Sequence, residues 1–301
     1  MSHEKERYVP GDAGEIWYEH WHRYHYALPL AEGRRVLDIA CGEGYGSALL
    51  ATRAQSVVGA DIAPETVAQA RRRYGAAPNL TYVEGRCESL PCGDASVDLL
   101  VSFETLEHIP DPERLLDEAK RVLAPGGLLL VSTPNREVYS DKRDYRNPHH
   151  VRELYEDEFL AVLKARFAEV ALFGQRVDAY SAIWPLHAPA NAAQLLQASA
   201  AEAAKPAAGV ADAMYFLALC GGREAVTAGA GRFSLLSDRD HDVSERHEKS
   251  LRQVEEVRTH LERMEAAYLA SQKQLAALSQ EHERLLARLA QLEAPVGWRR
   301  R

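Results

Sequence analysis

The stretch Val36-Leu-Asp-Ile-Ala-Cys-Gly-Glu-Gly-Tyr-Gly46 runs an apolar strand directly into a glycine-spaced turn. Glycines at that spacing let the backbone pass close to a nucleotide-like ligand, and the pattern alone fits NAD, FAD or S-adenosylmethionine. Two carboxylates discriminate among them. Asp38 lies inside the strand, where it repels a pyrophosphate and favours a cationic aminoacyl-sulfonium group. Asp61 ends the next apolar run, 19 residues after Gly42, where a carboxylate accepts both ribose hydroxyls. Together they point to S-adenosyl-L-methionine.

Such residues need a sheet behind them. From Arg35 onward, apolar runs of four to six residues alternate with amphipathic stretches, the pattern of a parallel sheet with helical crossovers. The predicted strands are Val36 to Ala40, Ser56 to Ala60, Leu80 to Glu84, Val97 to Ser102, Leu128 to Thr133, Glu169 to Phe173 and Met214 to Leu219. Helices are expected over Gly46 to Arg53, Pro64 to Tyr74, Pro112 to Leu123 and Glu156 to Phe167, with Asp111 as a cap. The fold class is therefore α/β, a Rossmann-like seven-stranded sheet with ligands at the strands' C-terminal ends. Ser181 to Gly209 interrupts this pattern, either as a lid or as a surface excursion.

The chain has 301 residues and a net charge of −8, and its basic and acidic residues are nearly balanced from Arg223 onward. The first 222 residues thus carry the negative excess, a poor match for a polyanion, and nucleic acid is not the expected substrate. Cys41, Cys87, Cys92 and Cys220 form no C-x-x-C pair, so reduced thiols are expected and no metal site is read from them. No apolar run reaches the ~18 residues of a membrane span. The expected location is cytoplasmic, with a peripheral contact at the inner membrane as the alternative.

In these motifs the sequence resembles the class I methyltransferases across nearly all of residues 20 to 222. The resemblance continues through Gly85-Arg-Cys-Glu-Ser-Leu-Pro91, similar to the family's adenine-binding strand end, and from Ser96 through His108 to Leu123-Ala-Pro-Gly-Gly127. It implies cofactor contacts from Asp38, Ala40, Gly42, Gly44, Asp61, Ile62, Cys87, Phe103 and Tyr24. The family usually has an acidic residue where Arg86 stands, which leaves adenine recognition to backbone groups around Cys87. Methyl transfer from a sulfonium is an in-line displacement, and a hydroxyl acceptor must also lose a proton. His150 and His149, in Asn147-Pro-His-His-Val151, and His108, after the fourth strand, are the candidate bases, since imidazole titrates near neutrality. The Glu19-His-Trp-His-Arg-Tyr-His-Tyr26 segment is either a helix closing over the cofactor or ordinary packing.

Tyr8-Val-Pro-Gly11, His22-Arg-Tyr24 and the Asn147 segment resemble methyltransferases of bacterial surface-polysaccharide (O-antigen) biosynthesis, some of which carry a coiled coil. A heptad register from Val254 places Val257, Leu261, Met264, Tyr268, Ser271, Leu275, Leu278, His282, Leu285, Leu289 and Leu292 on one seam. The expected organisation is a methyltransferase domain over 1–222, a linker over 223–243, a coiled coil over 244–294 and a basic tail over 295–301. The partners are then a small-molecule or glycan acceptor and further copies of the chain, as a dimer, with a trimer or a hetero-partner as alternatives. The expected reaction methylates a hydroxyl of a sugar or glycan intermediate. Its rivals are a quinone- or polyketide-type small molecule and a coiled-coil interaction protein on a retained scaffold.

Overall fold

The computed structural model describes residues 15–178, 196–197, 205–206, 210, 212–230, 233–236 and 242–293. In chain order the strands are β1 (Arg35–Ile39), β2 (Ser56–Asp61), β3 (Leu80–Glu84), β4 (Val97–Ser102), β5 (Leu123–Pro134), β6 (Glu169–Gln175), β7 (Leu196–Gln197), β8 (Lys205–Pro206) and β9 (Tyr215–Gly221). The helices are α1 (Glu15–Ala27), α2 (Tyr45–Ala51), α3 (Pro64–Tyr74), α4 (Pro112–Val122), α5 (Arg136–Tyr139), α6 (Glu156–Lys164), α7 (Arg223–Ala230) and α8 (Asp242–Glu293).

Seven strands form one sheet in the order β3-β2-β1-β4-β5-β9-β6. The first five run parallel, and β9 inserts antiparallel between β5 and β6. Strand order reverses between β1 and β4, so a crevice opens beyond their C-terminal ends, where ligands bind open α/β sheets. Strand side chains alternate between two cores. Val36, Leu99 and Val101 pack with Tyr24, Leu50, Val67 and Val226 on one face, and Leu37, Ile39 and Leu100 pack with Leu115, Leu116, Phe159 and Leu163 on the other. Buried on both faces, these strands read as continuous apolar runs.

Two expectations shift. Asp111 occupies the N-cap position of α4 but makes no side-chain cap hydrogen bond, and Pro112 alone starts the helix. The stretch read as a linker opens with α7, whose Val226 is buried and whose Gly229 lies so close to Leu219 that an added Cβ would stand 2.6 Å from its side chain. Most of 181–209 lies outside the described residues, within which β7 and β8 pair antiparallel.

The chain divides into two units at Asp240/His241. The second contains α8, a single helix of 52 residues. Its seam residues Val254, Val257, Leu261, Met264, Tyr268, Leu275, Leu278, Leu285 and Leu289 are all more than half exposed. Among the described residues no helix is long and apolar enough to cross a membrane.

Candidate active site

The turn after β1 is built from left-handed residues. Ala40 (φ 58°), Gly42 (φ 55°) and Gly44 (φ 82°) alternate along it, and Gly44 is the N-cap of α2. Ala40 therefore holds a conformation that costs an L-residue about 1 kcal/mol. Asp61, at the end of β2, braces this turn: its Oδ2 accepts the Gly42 N–H at 3.0 Å and its Oδ1 accepts the Ala63 N–H at 3.0 Å. These two bonds fix the carboxylate against the turn. Beside it Ile62 is 56% exposed, an apolar surface at the mouth of the crevice. Cys87 is half-buried nearby, and burial pushes its thiol up to about 12.

Asp38 is buried, and its carboxylate accepts the Ser47 hydroxyl at 2.6 Å and the Tyr24 hydroxyl at 3.2 Å to both oxygens. Burial lifts its pKa to about 7 despite those bonds. Tyr24 comes from α1, so the aromatic segment before β1 is a helix closing on the glycine turn. An alanine Cβ at position 46 would lie 2.0 Å from the Tyr24 ring, which also meets Phe103 edge-on at 5.1 Å.

A second cluster sits past the ends of β4 and β5. His150 Nδ1 lies 2.6 Å from Glu153 Oε1, and both side chains are less than 10% exposed. Ser140 donates its hydroxyl to the other Glu153 oxygen at 2.5 Å. The His150 ring stacks on Tyr139 at 5.4 Å and meets His108 edge-on at 5.0 Å. Asn147 Nδ2 stands 3.0 Å from His150 Nε2. His149 is exposed, and its part in the cluster is its carbonyl, 3.2 Å from His108 Nδ1. The expected histidines thus divide: His150 and His108 meet ring to ring, while His149 is exposed and supplies its carbonyl.

Sequence spacing did not single out Glu107, Glu153, Glu104 or Arg23. Glu107 is buried, its carboxyl raised far above the usual range by desolvation and by Glu104. Arg23 is buried one residue before Tyr24, with Nη1 donating to Gln175 at 2.8 Å and standing 3.7 Å from Glu104, while its guanidinium lies over Tyr215. Glu19, one turn earlier, accepts the Tyr215 hydroxyl at 3.0 Å, and burial raises it to about 7. The one available signal was negative: Arg and Glu on the inner face of an amphipathic helix must be paired.

The sequence is similar to those of known methyltransferases. Residues 37–131 match the methyltransferase-domain family. A "probable S-adenosylmethionine-dependent methyltransferase" of Mycolicibacterium smegmatis is 42% identical over 168 residues, which is 55% of this chain and 64% of the relative. A ubiquinone biosynthesis O-methyltransferase of Paracidovorax citrulli is 37% identical over 114 residues, covering 37% of this chain and 48% of that one. The crystal structure of the Bacillus subtilis protein YcgJ superposes with a TM-score of 0.46 at 27% identity, over 52% of this chain and 71% of that one. The chain therefore spans less than two thirds of the curated relatives it matches. Residues 37–131, which match the methyltransferase-domain family, contain the glycine turn, Asp61 and the Glu107-His108 corner.

Proposed function

We propose that this chain transfers a methyl group from S-adenosylmethionine to an acceptor hydroxyl. The observation that carries the reading is the methyltransferase domain at 37–131, whose β1 turn and Asp61 brace form one cofactor crevice. The residues fit that ligand. Asp61 is placed for the ribose, Ile62 offers an apolar face to the adenine, and Asp38 lays negative charge beneath the aminoacyl end. Bound there, the cofactor supplies an electrophilic methyl group.

The chain's own residues then do the rest. Tyr24 and Phe103 close α1 and the end of β4 over the crevice and exclude water. His150 and Glu153 promote loss of the hydroxyl proton: a carboxylate behind Nδ1 fixes the tautomer, with Nε2 as the working nitrogen. The acceptor class we infer from the sequence resemblance is a sugar or glycan intermediate of surface-polysaccharide assembly. A phenolic small molecule is the second reading, favoured by the 37% identity to a ubiquinone biosynthesis O-methyltransferase.

Turnover with labelled S-adenosylmethionine against nucleotide-sugars, glycans and catechol-type acceptors separates the two classes. His150→Ala is expected to cut the rate by about 10²- to 10⁴-fold while leaving S-adenosylhomocysteine affinity within about twofold. A chain that binds NAD and ignores S-adenosylhomocysteine overturns the proposal.

A further inference from the structure

Glu107, His108 and His150 each place one ligand atom near a common centre, with the three atoms within 4.8 Å of one another. Glu107 Oε2 accepts the Thr133 hydroxyl at 3.2 Å, but Oε1 is buried without a hydrogen-bond partner. A buried acceptor left unpaired is costly, and a fold keeps one where something outside the chain takes its lone pair. His108 Nε2 stands 3.9 Å from that oxygen. Both imidazoles are held from behind at Nδ1, His108 by the His149 carbonyl at 3.2 Å and His150 by the Glu153 carboxylate at 2.6 Å. Such acceptors fix the proton on Nδ1 and put the lone pair on Nε2, and the Asn147 amide donating toward His150 Nε2 at 3.0 Å agrees with that tautomer. Carbonyl and carboxylate backing of this kind is how metal-ligating histidines are oriented.

We infer that Glu107, His108 and His150 bind a divalent transition-metal cation of the zinc class and present it to the acceptor. Two imidazole nitrogens with one carboxylate suit zinc, whereas magnesium and calcium take oxygen donors. The charge balances, with the Glu107 carboxylate in contact and that of Glu153 directly behind His150. Three protein ligands leave one position open, as in zinc sites that act on substrate. Bonds of about 2.0 Å put tetrahedral donors about 3.3 Å apart, so the three side chains draw together slightly and His150 gives up its bond to Asn147.

What the cation does there rests on the methyltransferase reading. Coordinated to it, the acceptor hydroxyl loses its proton to solvent water, and the oxygen's electron pair forms the new C–O bond. The methyl–sulfur bond breaks and its electron pair stays on sulfur. His150 then serves as a ligand and Glu153 as a positioning residue.

Calorimetry of chelator-stripped full chain with Zn²⁺ alone tests the site, and Co²⁺ reports its geometry through the visible absorption of tetrahedral cobalt. One site is expected, weakened at least tenfold in Glu107→Gln and in His108→Ala, while Asp61→Ala, in the cofactor crevice, binds Zn²⁺ as the native chain does. The remaining histidines are common to all variants and set the non-specific baseline. The isosteric Glu107→Gln, checked by circular dichroism, guards against loss through misfolding. Equal Zn²⁺ affinity in the native chain and both variants, or no binding at all, overturns the inference. S-adenosylhomocysteine binding, measured separately, reports on the methyltransferase reading: either ligand binding without the other tells which of the two ideas fails.

Discussion

At the scale of single residues, Asp38 carries the sharpest consequence. Its carboxyl ionises near 3.8 in an unfolded chain and is lifted to about 7 by burial. Stability from the neutral form is thus fully present below about pH 4 and lost as pH rises through 7, where the fold must carry a buried charge. A cationic ligand reverses the preference, because it favours the ionised carboxylate. S-adenosylmethionine affinity is accordingly expected to rise by up to tenfold per pH unit from about pH 5.5 to 7 and then level off. Asp38→Asn should flatten that profile. Glu19→Gln should not, although burial raises Glu19 to about 7 as well, because Glu19 pairs with Tyr215 and Arg23 rather than with the glycine turn. A native profile flat across this range would separate Asp38 from the ligand's charge. Asp38 and Asp61 were legible in the sequence because each sits at a fixed offset from the glycines, on strands that are neighbours in the sheet. Glu107, Glu153 and Arg23 were not, because they come from the end of β4, a loop after α5 and α1, and only the closed fold brings those together.

Among elements, the strands declared themselves through apolar runs, and the count of seven follows from them, whereas the antiparallel insertion of β9 in a sheet read as parallel does not. The boundaries moved where packing overrides local pattern: α7 begins inside an Ala- and Gly-rich stretch because Val226 and Gly229 dock on Leu219 and Leu30. The junction of α1 with α2 is the tightest joint near the cofactor crevice. Gly46 is required there because the Tyr24 ring lies where any Cβ would go, and Tyr24 in turn holds Asp38. Gly46→Ala is therefore expected to cost about 1–3 kcal/mol, read as a lower urea midpoint, and to weaken S-adenosylmethionine binding through displaced Tyr24. Tyr24→Val makes room for the methyl group, so the double variant should lose less than the sum of the singles. Additive losses would mean that the two side chains do not meet.

For the whole molecule, the question is what covers α8. Its seam from Val254 to Leu292 covers 39 residues, about 58 Å of helix, and its described apolar members stand more than half exposed. An apolar stripe of that length on a lone helix is a liability, and a 3.5-residue period is narrower than a globular face needs, so we propose that α8 pairs with further copies of this chain. Leu278, Leu285 and Leu292 at d positions favour a parallel dimer, while Tyr268 and His282 at a positions set register or admit a third strand. The glycine turn, Asp61, the histidine cluster and α7 all precede Gly231, and the chain divides near Asp240. A chain ending at Gly231 is therefore expected to keep its S-adenosylhomocysteine affinity within about twofold and to scatter light as a monomer, while the full chain scatters as an oligomer. Replacing Leu275 and Leu278 with lysine in the full chain should give the same monomer without removing any residue. If the shortened chain loses the cofactor, or the full chain is itself monomeric, the seam is covered by something other than another copy, and the oligomer reading falls.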